Sequence, residues 1–542
     1  MRGARSNSWV SELAGAAVWC CLGGALVIHG CAGTPTPTRR AQTPPTPTPP
    51  SGPTQPPRAE APRVAEAPEP VNRFEDRPAV PTSEPDLRIR IAAFRSASAA
   101  PRLSHPSGAL VLTVPGGATR TLRTPVEVRL EPGAWSVVEA AGTGRTRTFD
   151  VTTTGPIEFH PPEGARGVVS YDGQDWPGTV RAVPRVDGPG TLDLVVDVPL
   201  ERYLPGVLAK ELIKGWAPET FRAQAIAARS FAVCEHAHWQ GIRHYDLVAG
   251  EASQAWIGEV KDQRPRDAVA QTRGMVLVFQ DRVVPAYYSS TCGGTPANAT
   301  DALTRNPYHG IAPLAAGASA AAAHRDCCAN APKFRWEQTI PVSTICAQLR
   351  RWSEDQLAAK TQRGRAPSQT AVASMGATSG AVPPTETGAG ATPAAAPAAA
   401  PAATPAPSAA GVTEVADDAP LAALSTIRGI RSIEVTAVNA AGRPKQIRLV
   451  DSQGRTLLLR AEDFRRAVNY AREGERTPSL RLNSSAIATA TVMGDAVRFS
   501  GAGFGHGVGM CQYGAESLAR RGASAEQILR TYYPEATIRR AY

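Results

Sequence analysis

Residues Tyr203–Trp239 read YLPGVLAKELIKGWAPETFRAQAIAARSFAVCEHAHW, and the fold is decided here. Pro205 can begin a helix, because its fixed φ and missing N–H are tolerated at the first helical position. Residues three and four positions apart share one face of that helix. The residues at this spacing are Leu204, Val207, Leu208 and Glu211. The sequence therefore predicts a helix whose apolar face ends in a carboxylate.

A second helix follows after a short break. Gly215 and Trp216 end the first segment, and Pro218 opens the next with Glu219 in its first turn, where a negative charge suits the helix dipole. One face of this helix is a narrow stripe of mostly small residues, made by Phe221, Ala225, Ala228 and Ala232. We expect another backbone to approach that stripe closely.

Glu211 is a candidate general acid because of the apolar face on which it stands. Burial disfavours the charged form of a carboxyl group and raises its pKa, as proton donation at neutral pH requires. Periodicity alone favours two simpler readings, namely an ion pair with a nearby arginine and a side chain that points to solvent at the helix end. Both readings stay open on this evidence.

Two glycine-containing stretches lie further along the chain. Tyr287–Thr295 reads YYSSTCGGT after predicted strands, and its Gly-Gly pair permits either an ordinary turn or close approach by a ligand. Gly501–Ala515 reads GAGFGHGVGMCQYGA, with five glycines in nine residues. Such a loop exposes backbone amides, but the Lys-Ser/Thr pair of a nucleotide-binding loop is absent.

These three stretches resemble signatures of the stage II sporulation protein D (SpoIID/LytB) family. From Leu200 to Ser230 the chain follows Leu-Glu-x-Tyr-Leu-x-Gly-Val, a Glu, and Glu-x-x-x-Ala-Gln-Ala-x-Ala-Ala-Arg-Ser/Thr. Gly501–Ala515 matches the second signature, Gly-His-Gly-Val-Gly-Met-Ser/Cys-Gln-Tyr/Trp-Gly-Ala, almost residue for residue. The YYSSTCGGT stretch is similar to an element beside the family's cleft. The resemblance covers roughly residues 165–350 and 427–542, with a weaker lead-in from residue 87.

The resemblance implies that Glu211 is the catalytic acid of a peptidoglycan lytic transglycosylase. It also implies a set of substrate-binding residues along the cleft, namely Ser289, Ser290, Thr295, His506, Gln512 and Tyr513. For His506 a structural hydrogen-bonding role is an equal alternative.

The implied reaction cleaves the β-1,4 bond between N-acetylmuramic acid and N-acetylglucosamine, on glycan strands that lack stem peptides. Glu211 protonates the leaving oxygen, and its carboxylate then helps the muramic 6-hydroxyl attack the anomeric carbon. Glycoside hydrolases normally need two carboxylates. Here the substrate hydroxyl replaces water, so one acid/base suffices and no cofactor is required.

A different class of function is the alternative. LytB-type relatives are amidase enhancers, which bind the cell wall and modify an amidase or other wall enzyme without catalysis of their own. A complete signature that includes Glu211 favours catalysis, because a binding protein has no need of that acid. A scaffold at the cell envelope is a third reading.

The charge and the amino terminus indicate an envelope location. A net charge of +10 and a pI near 9.3 favour anionic surfaces, but the basic residues are dispersed without a nucleic-acid-binding motif. Residues 1–31 resemble a lipoprotein signal that ends at a lipidated Cys31, although His29 departs from the usual small residue. An ordinary signal peptide or an uncleaved anchor is the alternative. We expect an exported, membrane-anchored lipoprotein in the periplasm or on the outer face.

Composition divides the rest of the chain. We predict a disordered Pro/Thr-rich tether at 32–85, a β-rich lead-in at 86–164, a SpoIID-like domain in two parts at 165–352 and 427–542, and a disordered Ala/Pro-rich insertion at 353–426. Long loops add little closure entropy, so one domain can tolerate the insertion. The expected fold class is α+β, a single mixed β-rich and helical domain.

Six cysteines lie beyond the signal, at positions Cys234, Cys292, Cys327, Cys328, Cys346 and Cys511. An even number in an exported chain favours disulfides, such as Cys292 with Cys327 or Cys328. Some relatives bind zinc with cysteine and histidine near the cleft, and Cys292 and Cys511 fall within cleft motifs. The adjacent Cys327-Cys328 pair is poor zinc-ligand spacing, so disulfides are the expectation and zinc stays open.

Overall fold

The computed structural model describes residues 77–95, 100–141, 144–185, 188–250, 253–303, 307–316, 327–365, 419–472, 475 and 478–542. All of them belong to one compact unit, Glu69–Tyr542. The predicted signal with Cys31, most of the tether and the middle of the insertion lie outside the described residues. Among the residues that are described, no helix is both long and apolar enough to span a bilayer.

Two sheets of short strands make up the amino-terminal part. The strands are β1 (Asp86–Phe94), β2 (Arg102–Ser104), β3 (Ala109–Thr113), β4 (Thr119–Arg123), β5 (Val126–Glu131), β6 (Ala134–Ala140), β7 (Thr146–Val151), β8 (Ile157–His160), β9 (Val168–Tyr171), β10 (Gln174–Pro177), β11 (Thr179–Pro184), β12 (Leu192–Pro199) and β13 (Leu247–Val248). One sheet has the order β13-β1-β12-β11-β8-β3-β4, and the other has the order β10-β9-β2-β5-β6-β7. Strand β1 of the lead-in pairs with β12, Asp86 opposite Pro199, so the lead-in shares a sheet with the strand that enters the first signature.

Three helices follow these sheets: α1 (Leu200–Glu211), α2 (Pro218–Trp239) and α3 (Gln263–Gln271). The predicted apolar face of α1 is fully buried, and α2 begins at Pro218 as expected. The predicted start of α1 is wrong, because the helix begins at Leu200 and Pro205 lies inside it. Pro205 removes only the bond to the carbonyl of Glu201, in the first turn, and the acidic Glu201 favours a helix start there.

The remaining elements alternate short strands and helices. They are β14 (Met275–Phe279), β15 (Arg282–Val283), β16 (Tyr288–Ser289), α4 (Ala299–Ala302), β17 (Arg335–Pro341), α5 (Val342–Arg365), α6 (Ala419–Leu424), β18 (Ile430–Val438), β19 (Pro444–Asp451), β20 (Thr456–Arg460), α7 (Ala461–Val468), β21 (Ile487–Met493), β22 (Ala496–Ala502), β23 (Met510–Cys511), α8 (Gln512–Arg520), α9 (Ala525–Tyr532) and β24 (Thr537–Arg540). They form the sheets β15-β14-β24, β16-β23, β17-β22-β21 and β18-β19-β20. The last strand therefore returns to pair with β14, which follows α3 along the chain.

The fold class is α+β, as the sequence predicts, but the insertion boundaries at 353 and 426 are wrong. Helix α5 continues to Arg365 with Ser353 fully buried, and α6 packs Leu424 against the core. The residues RWSEDQLAAK, from position 351, are mostly good helix formers, and the Ala/Pro-rich composition begins only beyond them.

Candidate active site

Glu211 is the last residue of α1 and is half-buried, which is less enclosed than the apolar face predicts. Its Oε1 accepts a hydrogen bond from the backbone N–H of Ala255 at 3.0 Å. Its Oε2 accepts one from Nε2 of Gln512 at 3.3 Å. These two donors fix the plane of the carboxyl group.

Gln512 links the two signatures. It opens α8, directly after the glycine-rich loop, and its side chain is buried. The same Nε2 that donates to Glu211 lies 3.5 Å from Oε1 of Gln224, a fully buried residue on α2. One amide from the carboxyl-terminal part of the chain thus contacts both helices of the first signature.

The pairing of strands β16 and β23 positions Gln512, which follows β23 directly. They pair in parallel, with Tyr288 opposite Met510 and Ser289 opposite Cys511. Gly509 precedes β23 with a positive φ of 66°, and a Cβ there would lie 2.0 Å from the carbonyl oxygen of Tyr287. Only glycine permits this approach. The second signature therefore needs glycine in order to seat beside β16.

A buried chain of three polar side chains borders Glu211. Oη of Tyr203 donates to Oε1 of Gln254 at 3.1 Å, and Nε2 of Gln254 donates to Oη of Tyr288 at 3.0 Å. Burial raises the pKa of both tyrosines well above the ordinary value, and the negative charge of Glu211 raises each further. Both hydroxyls are therefore protonated at neutral pH. Gln254 lies outside the quoted stretches, and Tyr288 lies within YYSSTCGGT without being among its predicted sugar-binding residues, because nothing in the sequence predicts which loop meets the end of α1.

An aromatic pair lies beside the same helix end. The rings of Trp216 and Tyr513 meet edge-on with centroids 5.0 Å apart, and Tyr513 is partly exposed. The backbone N–H of Tyr513 donates to the carbonyl oxygen of Ser290 at 3.1 Å. The pair joins the loop after α1 to the start of α8 and supplies apolar surface next to the carboxyl group.

The sequence of this part of the chain is similar to known proteins. The family model described as SpoIID, stage II sporulation protein, matches residues 189–279, which include Glu211 and Gln254. Stage II sporulation protein D of Bacillus subtilis is 31% identical over 120 residues, covering 19% of this chain and 35% of that protein. Residues 189–279 of this chain therefore match the SpoIID family.

Two further relatives extend the likeness. An amidase enhancer of Bacillus subtilis is 25% identical over 343 residues, covering 62% of this chain and 40% of that protein. An uncharacterised protein of Brachyspira hyodysenteriae is 29% identical over 126 residues, covering 23% of this chain and 33% of that protein. The chain thus spans between 33% and 40% of the length of these curated relatives.

The three predicted sugar-binding residues of the YYSSTCGGT stretch differ in burial. The hydroxyl groups of Ser289 and Thr295 are buried, without a hydrogen-bond partner among the described residues. Ser290, which follows β16, is half-buried. We therefore carry Ser290, and not Ser289 or Thr295, into the proposed substrate contacts.

His506 lies against Tyr287, with ring centroids 6.2 Å apart. Its Nδ1 accepts a hydrogen bond from the backbone N–H of Val508 at 3.0 Å, which places the proton of the neutral ring on Nε2. Burial lowers the pKa of His506 to about 4; Glu462 acts in the opposite direction, and nearby arginines reinforce the lowering. The hydrogen bond from Val508 is of the kind that the structural alternative for His506 predicts.

Arg443 is a residue near the Gly-Gly turn and the glycine-rich loop that sequence reasoning missed. It is fully buried, with Nη1 donating to the carbonyl of Thr295 at 2.9 Å and Nη2 to the carbonyl of Gly505 at 3.2 Å. One guanidinium group therefore bridges the Gly-Gly turn and the glycine-rich loop. The sequence offers no signal for it, because Arg443 sits in a hairpin turn outside every signature.

Three cysteines meet behind the Gly-Gly turn. The Sγ atoms of Cys292, Cys328 and Cys511 lie within 4.8 Å of one another, with Cys292 and Cys328 at 3.7 Å. A disulfide measures about 2.05 Å. None of the six cysteines among the described residues takes part in a disulfide, so the predicted disulfide between Cys292 and Cys327 or Cys328 is not formed. Hydrogen bonds from the Cys292 and Cys511 thiols lower the pKa of Cys328.

The cysteine cluster fits a zinc ion in its chemistry. Thiolate ligands stand about 2.3 Å from zinc, so two of them in a tetrahedron are roughly 3.8 Å apart. The distance of 3.7 Å between Cys292 and Cys328 is close to that value. Three protein ligands also leave a fourth position for another donor.

Proposed function

We propose that this chain is a peptidoglycan lytic transglycosylase in which Glu211 is the single acid/base. The observation that carries the proposal is the contact between Glu211 and Gln512, because it joins the two family signatures at one carboxyl group. The fully matched signature around Glu211 supports catalysis over simple wall binding.

Each step of the proposed reaction uses the same carboxyl group. Glu211 gives its proton to the oxygen that joins N-acetylmuramic acid to N-acetylglucosamine, and the bond between that oxygen and the anomeric carbon breaks. The carboxylate then takes the proton of the muramic 6-hydroxyl as that oxygen bonds to the anomeric carbon. The products are a 1,6-anhydro end and a new 4-hydroxyl end, and no water is consumed.

The neighbouring groups support this chemistry by position. The N–H donors of Ala255 and Gln512 hold the carboxyl group in one plane. Ser290 and Tyr513 are half-buried, and the backbone N–H of Tyr513 donates to the carbonyl oxygen of Ser290; these two residues are the proposed substrate contacts. Reactive groups held in place convert an intermolecular step into an effectively unimolecular one.

The test is incubation of the purified chain with glycan strands stripped of stem peptides, followed by mass spectrometry. We expect 1,6-anhydro products from the parent and a loss of at least about 100-fold in Glu211→Gln, because general acid/base catalysis contributes that much. Glu526→Gln is the matched control, since Glu526 is exposed on the surface. Absence of anhydro products with the parent would refute the proposed reaction.

A non-catalytic amidase enhancer is the second candidate. The alignment with a protein of that name covers 62% of this chain, more than the alignment with stage II sporulation protein D. This candidate predicts that the parent and Glu211→Gln bind denuded strands equally, release no anhydro product and raise the activity of a cell-wall amidase added to the assay.

We further propose that zinc occupies the cysteine cluster in a structural role. Zinc on Cys292, Cys328 and Cys511 would brace the Gly-Gly turn against the start of α8, where Gln512 follows Cys511 directly. Metal analysis of the purified chain is expected to give about one zinc per chain, lost in Cys328→Ser. A metal-free chain with titratable thiols would refute this role.

The envelope location remains a proposal of the same kind. Lipidation at Cys31 would anchor the chain to a membrane and leave the domain to work on wall strands beyond it. Membrane fractionation of the parent and Cys31→Ala tests this, with release of the variant into the soluble envelope fraction as the expected outcome.

A further inference from the structure

Gln254 is the centre of the polar chain beside Glu211. Its side chain has no exposed surface. Nε2 lies 3.2 Å from the carbonyl oxygen of Ala228 and 3.0 Å from Oη of Tyr288, while Oε1 lies 3.1 Å from Oη of Tyr203. Both hydrogens of the amide nitrogen and its oxygen therefore have partners.

The direction of each hydrogen bond follows from the carbonyl of Ala228. A backbone carbonyl can only accept, so the group of Gln254 that faces it must be the NH₂. The oxygen of the amide then faces Tyr203, whose hydroxyl donates to it. The second N–H of Gln254 points at Tyr288, whose hydroxyl accepts.

Tyr288 is therefore left with a proton of its own to donate. Its oxygen is an acceptor toward Gln254, and the described residues provide no acceptor for its O–H. Tyr203, by contrast, is fully buried and uses its proton on Gln254. Tyr288 is half-buried as a residue, so it is the tyrosine of this polar chain that an entering molecule can contact.

The position of this hydroxyl is tied to the carboxyl group. Ala255, the residue after Gln254, donates its N–H to Glu211, so the loop that orients Tyr288 also holds the acid. The residue opposite Tyr288 in the neighbouring strand is Met510, two positions before Gln512, which donates to Glu211. The negative charge of Glu211 also raises the pKa of the Tyr288 hydroxyl.

We infer that Tyr288 is a substrate-binding residue whose hydroxyl donates a hydrogen bond to the sugar bound at Glu211, and that Gln254 is the positioning residue that fixes this direction. The inference rests on the proposed action on peptidoglycan glycan. The acceptor is a neutral oxygen of an N-acetylated sugar, either its acetamido carbonyl or a ring or glycosidic oxygen.

The test separates binding from cleavage by using the full chain with Glu211→Gln. Calorimetry with a denuded glycan tetrasaccharide should give a Kd about 3- to 10-fold higher when Tyr288→Phe is added, because one neutral hydrogen bond is lost. Tyr470→Phe is the matched control: it also removes a tyrosine hydrogen bond, to Asp355, and should leave Kd unchanged. An unchanged Kd in Tyr288→Phe would overturn the inference.

A double-mutant cycle tests the role of Gln254. Gln254→Met removes the N–H that fixes Tyr288, so it should raise Kd in the tyrosine background and have much less effect in the Tyr288→Phe background. Equal effects in both backgrounds would refute positioning through Tyr288. Thermal unfolding of each variant confirms that the folded chain is compared.

Two further comparisons identify the acceptor atom and distinguish a failure of this inference from a failure of the proposed reaction. If Tyr288→Phe weakens binding of N-acetylated strands but not of chemically de-N-acetylated strands, the acceptor is the acetamido carbonyl; equal weakening assigns a ring or glycosidic oxygen. Binding is measured without turnover. A chain that releases no anhydro product therefore refutes the reaction alone, while loss of tetrasaccharide binding in Tyr288→Phe still supports the contact.

Discussion

At the residue scale, Glu211 and His506 have different roles because their burial and hydrogen-bond partners differ. Glu211 is half-buried, with two donors on its oxygens, and remains open to a ligand. His506 is neutral at physiological pH, because burial lowers its pKa to about 4 and Val508 donates to its Nδ1. A neutral ring can donate a hydrogen bond from Nε2, but it cannot act as a cationic acid at neutral pH.

This difference predicts a pH effect on stability. The folded pKa of His506 is about 4, below the ordinary value of 6.5, so between these values the unfolded chain binds a proton that the folded chain does not. Stability is therefore lost as the pH falls through that window. His506→Asn keeps an acceptor for Val508 and removes the titration. Urea unfolding should give a loss between pH 7 and pH 5 that is smaller in the variant by on the order of 1 kcal/mol, the ring being partly exposed.

The comparison contains its own control. Above pH 7 the histidine is neutral in both states, so the difference in stability between parent and variant should not change from pH 7 to pH 8. Parallel curves down to pH 5 would contradict the assignment of the pH effect to His506.

At the scale of elements, the three glutamates of the first signature have three different tasks. Glu201 pairs with Arg229 between α1 and α2, and Glu211 enters the site. Glu219 accepts the backbone N–H of Ala525 at the start of α9 with its Oε2, at 2.8 Å. In return, Glu516 of α8 accepts the N–H of Ala217 at the start of α2, at 2.9 Å. The helices of the two signatures are thus capped by each other's carboxylates.

The Glu201–Arg229 pair gives a stability prediction. Arg229 is fully buried and donates to both carboxylate oxygens of Glu201, at 2.8 and 2.7 Å. Desolvation alone would raise the pKa of Glu201, but the hydrogen bonds and charge of Arg229 lower it, so this stabilisation is present at neutral pH and fades as the solution becomes strongly acidic. Glu201→Ala leaves a buried cation unpaired, and urea unfolding should give a loss of about 3–5 kcal/mol.

An exposed ion pair provides the control for that measurement. Glu526 pairs with Arg530 on the surface of α9, with most of both side chains exposed. Glu526→Ala should therefore change the unfolding free energy by less than about 1 kcal/mol. Equal losses in the two variants would contradict a special role for the buried pair.

At the scale of the whole molecule, the sequence predicts the helices that carry the site but few of the side-chain contacts within it. Hydrophobic spacing predicts α1 and α2. Glycine density predicts a loop of exposed backbone amides, whereas the structure packs Gly509 closely against the backbone of Tyr287. The burial of individual side chains and the contacts between distant loops could not be predicted from these patterns. Gln254, Tyr288 and Arg443 are ordinary polar residues in sequence, and their contacts depend on which loops the fold brings together.

Arg443 provides the test of how those distant loops are held. Its two terminal nitrogens donate to Thr295 in one loop and to Gly505 in the other, and no side chain with a single nitrogen can span both. Arg443→Lys should therefore lower the unfolding free energy by about 2–4 kcal/mol, because buried carbonyl oxygens lose their donors. The rate of backbone amide hydrogen exchange should rise both in the loop that contains Thr295 and in the loop that contains Gly505. Arg448→Lys, on the exposed face of the same hairpin, should change stability by less than about 0.5 kcal/mol. Faster exchange in only one loop would contradict the bridging role of Arg443.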